Sequence, residues 1–400
     1  MKGLCLFMLL YIHIPFCVKK CDYCDFLSFP CGDEKIRDNY LRAVIRQLDY
    51  YSENSSKFKH ISSIFIGGGT PSSLSEDELE KLLSNIAEIV SEAGNDLDNI
   101  EFTIECNPGT LNESKLSIMR KYGVNRLSMG LQSAKNEELK CLGRIHTFED
   151  FFNSFNMART AGFSNINVDL MSALPGQTLD SWKSTLEEVV ALDPEHISAY
   201  SLIIEEGTPF YELYGEDAGS EADLKAEDLL PNEDTERDIY HFTKTFLAKH
   251  GYERYEISNY AKPGFECKHN CGYWTREDYA GIGLGAASLM NDTRYNELED
   301  LEEYINSYLE SESGLYAAHI EHLKAFDCMG EFMFLGLRMM RGVSIFDFKD
   351  KFNKDIYDVF GKAINTSVEE GLLETYDNGD KLRLTDRGID VSNIVFARFI

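Results

Sequence analysis

Tyr11-Ile12-His13-Ile14-Pro15-Phe16-Cys17-Val18-Lys19-Lys20-Cys21-Asp22-Tyr23-Cys24-Asp25-Phe26 sets three cysteines in the spacing C-x3-C-x2-C directly behind a short apolar run. Three thiolates on one short loop suit three irons of a cubane cluster and leave the fourth iron without a protein ligand. Such an open iron can chelate a small molecule through an amino and a carboxylate group. That is what binding S-adenosylmethionine, and passing an electron to its sulfonium, requires. The competing account is a zinc site completed by Cys31 or His13. Zinc sites favour paired C-x2-C knuckles, and no second knuckle lies nearby, so the cluster is the preferred reading.

Outward from the loop, the run before it superficially resembles a signal peptide. It ends in His-Ile-Pro-Phe-Cys without a small-residue cleavage site, so it reads as a buried strand. Further strands are expected at Leu9–Ile14, Ser62–Ile66, Ile100–Glu105, Arg126–Leu131, Asn165–Leu170 and His196–Leu202. Between them lie stripes at helical spacing: Ile36, Tyr40, Val44, Leu48 and Tyr51; Leu79, Leu82, Leu83, Ile86 and Val90; Trp182, Leu186 and Val189. Consecutive βα units predict a parallel sheet with helical crossovers. The working residues of such folds lie on loops at the C-terminal ends of the strands.

Composition sets the outer bounds. The 400 residues carry 39 Lys+Arg and 68 Asp+Glu, a net charge of −29, with 43% hydrophobic and 12% aromatic residues. The content is enough for a sizeable core. The charge disfavours nucleic acid and anionic membranes. No stretch is long and apolar enough to span a bilayer. Ten cysteines are too sparse for a disulfide scaffold and read as reduced, cytosolic thiols. Of these, Cys5, Cys31, Cys106, Cys141 and Cys328 have no partner spacing and read as buried apolar thiols. Glu205–Asp238 is strongly acidic and reads as a solvated excursion. A helix is expected over Glu233–His250 and a strand over Arg254–Ile257. The expected domains are 1–290 for the catalytic-type barrel, 291–328 for a polar helical connector, and 329–400 for a small α/β domain. In that last domain two helical stretches precede a hairpin at Asp377-Asn378-Gly379-Asp380 and a helix capped by Thr385. The order resembles a winged helix. With 10 Lys+Arg against 12 Asp+Glu from Met329 onward, a packing or partner role is expected rather than DNA binding.

Polar motifs follow the strands. Gly67-Gly68-Gly69-Thr70-Pro71 lets backbone come close to a ligand; taken alone, it could be a tight turn. Glu105, Gln132, Arg144 and Asp169 each end or follow a strand. Singly each could be a surface polar group. Together they set an Arg for a carboxylate, and Gln and Asp for ribose hydroxyls, around one barrel mouth. Leu174-Pro175-Gly176-Gln177-Thr178 reads as a turn. Gly281-Ile282-Gly283-Leu284-Gly285 imitates a dinucleotide loop but lacks its βαβ context and downstream acid.

The Tyr11–Phe26 segment closely resembles the cluster loop of radical SAM enzymes, in the subgroup of the oxygen-independent coproporphyrinogen III oxidases and the related HemW family of heme chaperones. The resemblance extends over the whole chain. It implies an open, partial (β/α)6 radical SAM barrel with a small α/β, winged-helix-like C-terminal domain. It implies a [4Fe–4S] cluster on Cys17, Cys21 and Cys24, and S-adenosylmethionine held by Gly67, Gly68, Gly69 and Thr70, with Tyr11 and Tyr23 beside it. Tyr23 matches the aromatic that packs near adenine. Glu105, Gln132, Arg144 and Asp169 complete that set.

Two departures separate the oxidases from the chaperones. The oxidases resemble C-x3-C-x2-C-x-C, and here Phe26 stands in place of the last cysteine. They also carry a substantial N-terminal element, whereas ten residues precede Tyr11. His269-Asn270-Cys271-Gly272-Tyr273-Trp274 matches the chaperone pattern His-Asn-x-x-Tyr-Trp, which is associated with heme. Imidazole is a good axial ligand, and Tyr and Trp offer flat apolar faces. Read without the resemblance, His269 would sooner be a structural histidine in a turn. Cys267 and Cys271 flank it without being required. Relatives often carry Gly-Ala-His-Ser where this chain has Gly285-Ala286-Ala287-Ser288.

The expected function is thus cytosolic heme binding and transfer to an apo-hemoprotein, without coproporphyrinogen III oxidase activity and with cleavage of S-adenosylmethionine left open. The alternatives are a radical SAM oxidoreductase acting on a porphyrin and a non-catalytic, cluster-sensing interaction protein.

Overall fold

A computed structural model describes residues 7–215, 229–310 and 314–400. Cys5 and the centre of the acidic Glu205–Asp238 segment lie outside the described residues.

Six parallel strands carry the site: β1 Met8–Ile14, β2 Ile61–Gly68, β3 Glu101–Cys106, β4 Arg126–Gln132, β5 Ile166–Ser172 and β6 His196–Ser201. They pair in chain order, each parallel to the next. Their near-continuous burial is what a parallel sheet covered on both faces demands. The sheet does not pair β1 with β6. A further strand, β7 Asp278–Ile282, runs parallel to β1, and Asn259–Ala261 runs antiparallel to β6.

The crossovers are helices with explicit starts. Ser75 with Glu78, Thr147 with Asp150, and Thr178 with Ser181 form reciprocal caps that satisfy orphan N–H groups at the first turn. Thr178 ends the Leu174–Thr178 turn. Tyr40, Val44, Leu48 and Tyr51 of the Glu34–Asn54 helix are buried against the sheet, as are all five residues of the second stripe and Trp182, Leu186 and Val189 of the third. Ile36, at the start of the first stripe, is exposed. Cys106 and Cys328 are buried thiols, whereas Cys31 and Cys141 are only half-buried because they sit at loop and helix ends.

Two expectations are corrected. The segment read as a helical connector holds one helix, Leu301–Glu310, between two strands, Thr293–Glu297 and Ala317–His322. These strands extend the sheet beyond β7 through Ala287–Met290. Ala317–His322 is the exposed edge of the sheet and Thr293–Glu297 is a polar strand beside it, so no hydrophobic alternation marked them. The strand expected over Arg254–Ile257 shortens to Glu253–Arg254, with Glu256 in an isolated bridge to Met339.

The C-terminal residues build their own core around Met333, Leu337, Phe348, Phe360, Leu382 and Phe399. Three helices rather than the expected two, Ala325–Gly336, Ile345–Phe352 and Ile356–Glu369, precede the hairpin Leu373–Tyr376 and Lys381–Leu384, because Asn353 in the left-handed region breaks the second stretch. Asp377 and Asn378 take positive φ in its turn, and Thr385 caps the following helix. This unit is joined to the barrel by Arg276, buried and paired with Glu331 at 2.7 Å, and by Arg338 over the Trp274 ring at 4.3 Å.

Candidate functional site

A cavity of about 490 Å³ opens at the C-terminal ends of the strands. Cys17, Cys21 and Cys24 line it, all as free thiols. Their loop is tied down by backbone bonds: Phe29 N–H to the Pro15 carbonyl at 2.9 Å, Asp22 N–H to Leu142 at 3.2 Å, and Phe210 N–H to Asp22 at 3.0 Å. Thr70 Oγ1 donates to Cys17 Sγ at 3.6 Å, and Arg144 Nη1 to Cys21 Sγ at 3.4 Å. Burial raises the Cys24 thiol above its ordinary range. Cationic or metal partners offset such a cost.

Neither residue proposed to complete a zinc site lines this cavity. The Cys31 thiol donates to the Asp33 carbonyl, and His13 is held between Tyr11 and the Leu27 carbonyl. Among the described residues, no group of three His, Cys, Asp or Glu side chains is placed to hold a single metal ion. A cubane takes each thiolate on a different iron, so the three cysteines need not converge on one point.

The glycine run is a cradle in the strict sense. Gly68 has φ +108°, and a Cβ there would fall 2.3 Å from the His13 ring. A Cβ on Gly67 would meet Glu105 Oε2 at 2.7 Å. Gly68, Gly69 and Thr70 line the cavity, while Gly67 lies behind them against Glu105. Glu105 accepts from the Gly68 N–H at 3.0 Å. Burial, then the neighbouring Asp169, pushes its pKa up to about 7.

The other expected side chains arrive at the same cavity. Gln132 sits at a register shift in the sheet with φ 71° and accepts from the Tyr200 hydroxyl at 3.0 Å. Asp169 accepts from Ser128 at 3.0 Å and Asn167 at 2.8 Å, and burial raises its pKa. Arg144 donates through Nη2 to Asn107 at 3.0 Å and to the Gly130 carbonyl, while its Nε is buried without a partner. Tyr23 lines the cavity near Phe210. An orphaned guanidinium nitrogen, a cradle that no Cβ can enter, and three free thiols fit a ligand that bears a carboxylate and an amino group and is chelated to a cluster. Sequence reasoning passed over Asn107, Ser128 and Tyr200. Asn107 stood within the quoted Glu-Cys-Asn-Pro-Gly motif, but its bond to Arg144 spans 37 positions and is fixed by folding alone.

Below, a second chamber of about 300 Å³ shares Glu105, Ser128, Asp169 and Tyr200 with the first. Tyr11 lines this lower chamber rather than the upper cavity. So do His269, Asn270 and Tyr273, which stand on the short helix Lys268–Trp274. The backbone N–H groups of Lys268 and His269 donate to Glu101 at 3.0 and 3.1 Å, which fixes the helix under β3. Gly272 packs closely there: a Cβ would fall 2.7 Å from the Leu9 side chain. The His269 ring is 1% exposed. Its Nδ1 bonds the Ser63 hydroxyl at 2.8 Å and its Nε2 the Tyr273 hydroxyl at 3.0 Å. Burial, then Arg126, lowers its pKa to about 3, so the imidazole is neutral. Trp274 turns away from the chamber to Arg338 in the C-terminal unit. The Gly281–Gly285 run makes a close crossing: a Cβ on Gly281 would fall 2.2 Å from the Ala287 carbonyl.

Known proteins resemble this chain over its full length. Residues 11–189 match the Radical SAM superfamily, and residues 323–391 match the HemN C-terminal domain. The heme chaperone HemW of Lactococcus lactis is 37% identical over 391 residues, 98% of this chain and 96% of that protein. The heme chaperone HemW of Bacillus subtilis is 37% identical over 390 residues, 98% of each. The structure of the radical SAM coproporphyrinogen III oxidase from Escherichia coli superposes with a TM-score of 0.80 over 98% of this chain and 90% of that one. At 24% identity that match speaks to the fold alone.

Proposed function

The chain belongs to the HemW family within the radical SAM superfamily, and from that membership we propose that it binds heme as cargo and passes it to an apo-hemoprotein in the cytosol. The observation that carries this reading is the full-length likeness to heme chaperones, which takes in both the cluster loop and the His269–Trp274 helix. The position of Phe26 supports it. That side chain is exposed at the cavity mouth, where the oxidases would offer a further cysteine.

In this reading Cys17, Cys21 and Cys24 hold a [4Fe–4S] cluster, and S-adenosylmethionine completes its open iron. That pair supplies electron transfer to a sulfonium when bound. The chain's own residues bind and orient the cofactor. Arg144 meets a carboxylate, Gly68, Gly69 and Thr70 leave room for an amino group, Gln132 and Asp169 take hydroxyls, and Tyr23 covers the base. Glu105 supports the glycine run from behind.

His269 is the proposed ligand to heme iron, with Asn270 and Tyr273 about it, while Trp274 of the same helix faces the C-terminal unit. Both of its ring nitrogens have partners and its chamber of about 300 Å³ is smaller than a porphyrin, so coordination requires the Tyr273 hydroxyl to leave Nε2 and the chamber to widen. Among the described residues no helix is long and apolar enough to cross a membrane. The test is heme titration and transfer on anaerobically reconstituted protein, with coproporphyrinogen III conversion measured on the same sample. Conversion at a useful rate would favour the oxidoreductase instead.

A further inference from the structure

We propose that the floor of the barrel is a carboxylate-binding site built on Arg126. Arg126 begins β4 and is 2% exposed, with its side chain lining the lower chamber. Its Nε is buried without a hydrogen-bond partner. No hydrogen bond or ion pair joins its guanidinium to another described residue. A guanidinium keeps its charge at any physiological pH. A buried charge without a bonded partner costs several kcal/mol of desolvation.

Glu101 and Asp169 steady its charge through space, but neither forms a hydrogen bond or ion pair with it. Glu101 spends its oxygens on the N–H groups of Lys268 and His269 and on the Cys267 thiol. Asp169 is taken by Ser128 and Asn167. If Arg126 only anchored the Lys268–Trp274 helix, its fork would meet Glu101 directly, and it does not.

The surroundings suit one carboxylate on a short carbon arm. A planar fork matches a carboxylate through two parallel bonds. Ser198, Asn270 and Tyr273 add polar groups, while Phe65 and Tyr11 give apolar wall. Burial raises Glu105, which also faces the chamber, to about 7, so near neutrality it is often uncharged and opposes an incoming anion less. A chamber of about 300 Å³ is at the small end of ligand sites and takes an arm rather than a macrocycle. It continues into the cavity above, so an arm held at Arg126 belongs to a body that the chamber as it stands does not enclose. The carboxylate is a propionate of bound heme or a free small acid. The first source rests on the function proposed above, and the site itself does not.

The test uses the full chain and calorimetry. Heme and its dimethyl ester are titrated into the wild type and Arg126→Gln, and propionate and succinate are titrated separately. Wild type is expected to prefer heme over the ester by about tenfold or more, the worth of one charge-assisted bond. Arg126→Gln loses that preference without a change in ester affinity, and Arg126→Lys retains part of it. Binding of small acids that Arg126→Gln abolishes, with heme and ester bound alike, assigns the site to a free acid. Wild type that neither prefers heme to its ester nor binds either acid overturns the proposal, whether or not the variants fold. Failure of both porphyrins to bind defeats the heme reading, and the acid titrations still decide the floor.

Discussion

Arg144 holds much of the upper cavity together and keeps one nitrogen in reserve. Nη1 and Nη2 reach Cys21, Asn107 and Gly130, while Nε is unpaired. Arg144→Ala is expected to weaken S-adenosylmethionine binding by about 1.5–3 kcal/mol, the worth of a hydrogen bond to a charged group. Calorimetry on reconstituted protein reads this, and an unchanged affinity would move the carboxylate contact elsewhere. Cys21→Ala should lose the cluster while Cys31→Ala keeps it, because Cys31 does not line the cavity. Iron and sulfide analysis with EPR separates the two. Glu105 gives a pH signature. Its folded pKa of about 7 lies above its ordinary 4.5. Between those values the native state holds a proton that the unfolded chain has released, so this residue's contribution to stability falls as pH rises. Glu105→Gln removes the effect. In the cofactor-free protein, the stability difference should shift in favour of the variant by up to about 3 kcal/mol from pH 4 to 8. Denaturant titrations across that range check it, and parallel curves would refute it.

The Lys268–Trp274 helix shows where local sequence stops informing. Its spacing places His269 and Tyr273 one turn apart, and the structure adds that they bond each other. The partner of the other ring nitrogen, Ser63, is 206 positions away, and nothing in either segment announces the pairing. Trp274, read beside its neighbours as a face for a porphyrin, instead packs on Arg338 across the junction with the C-terminal unit. By contrast, the strand ends with Glu105, Gln132 and Asp169 were legible, because buried βα units deliver such residues to one mouth by topology alone. The strands Thr293–Glu297 and Ala317–His322, of which only the second is the sheet edge, were not legible, since their polar residues carry no apolar pattern. Two outcomes follow for the helix. His269→Ala leaves two hydroxyls and a void behind, and should cost about 2–4 kcal/mol of stability. Tyr273→Phe removes the hydroxyl that competes for Nε2. If His269 ligates iron, this variant should bind heme at least as tightly as the wild type, with an unchanged Soret position. Loss of heme binding in a well-folded Tyr273→Phe would take His269 out of the coordination sphere.

At the scale of the molecule, the parts form a barrel with a cofactor cavity above, a polar floor below, and a C-terminal unit that buttresses the floor helix through Arg276, Glu331, Arg338 and Trp274. A heme held near that helix would be under the influence of both units. The net charge of −29 leaves acceptor recognition to specific contacts rather than to general attraction for anions. The most direct measurement of the central claim is a heme titration of anaerobically reconstituted protein, followed by addition of an apo-hemoprotein, with the Soret band followed throughout. The account predicts uptake of about one heme per chain, then movement of the Soret signal to the acceptor, with no protoporphyrinogen IX formed from coproporphyrinogen III in the same preparation. A protein with a full cluster that takes up no heme, or that forms protoporphyrinogen IX at a useful turnover, would contradict it.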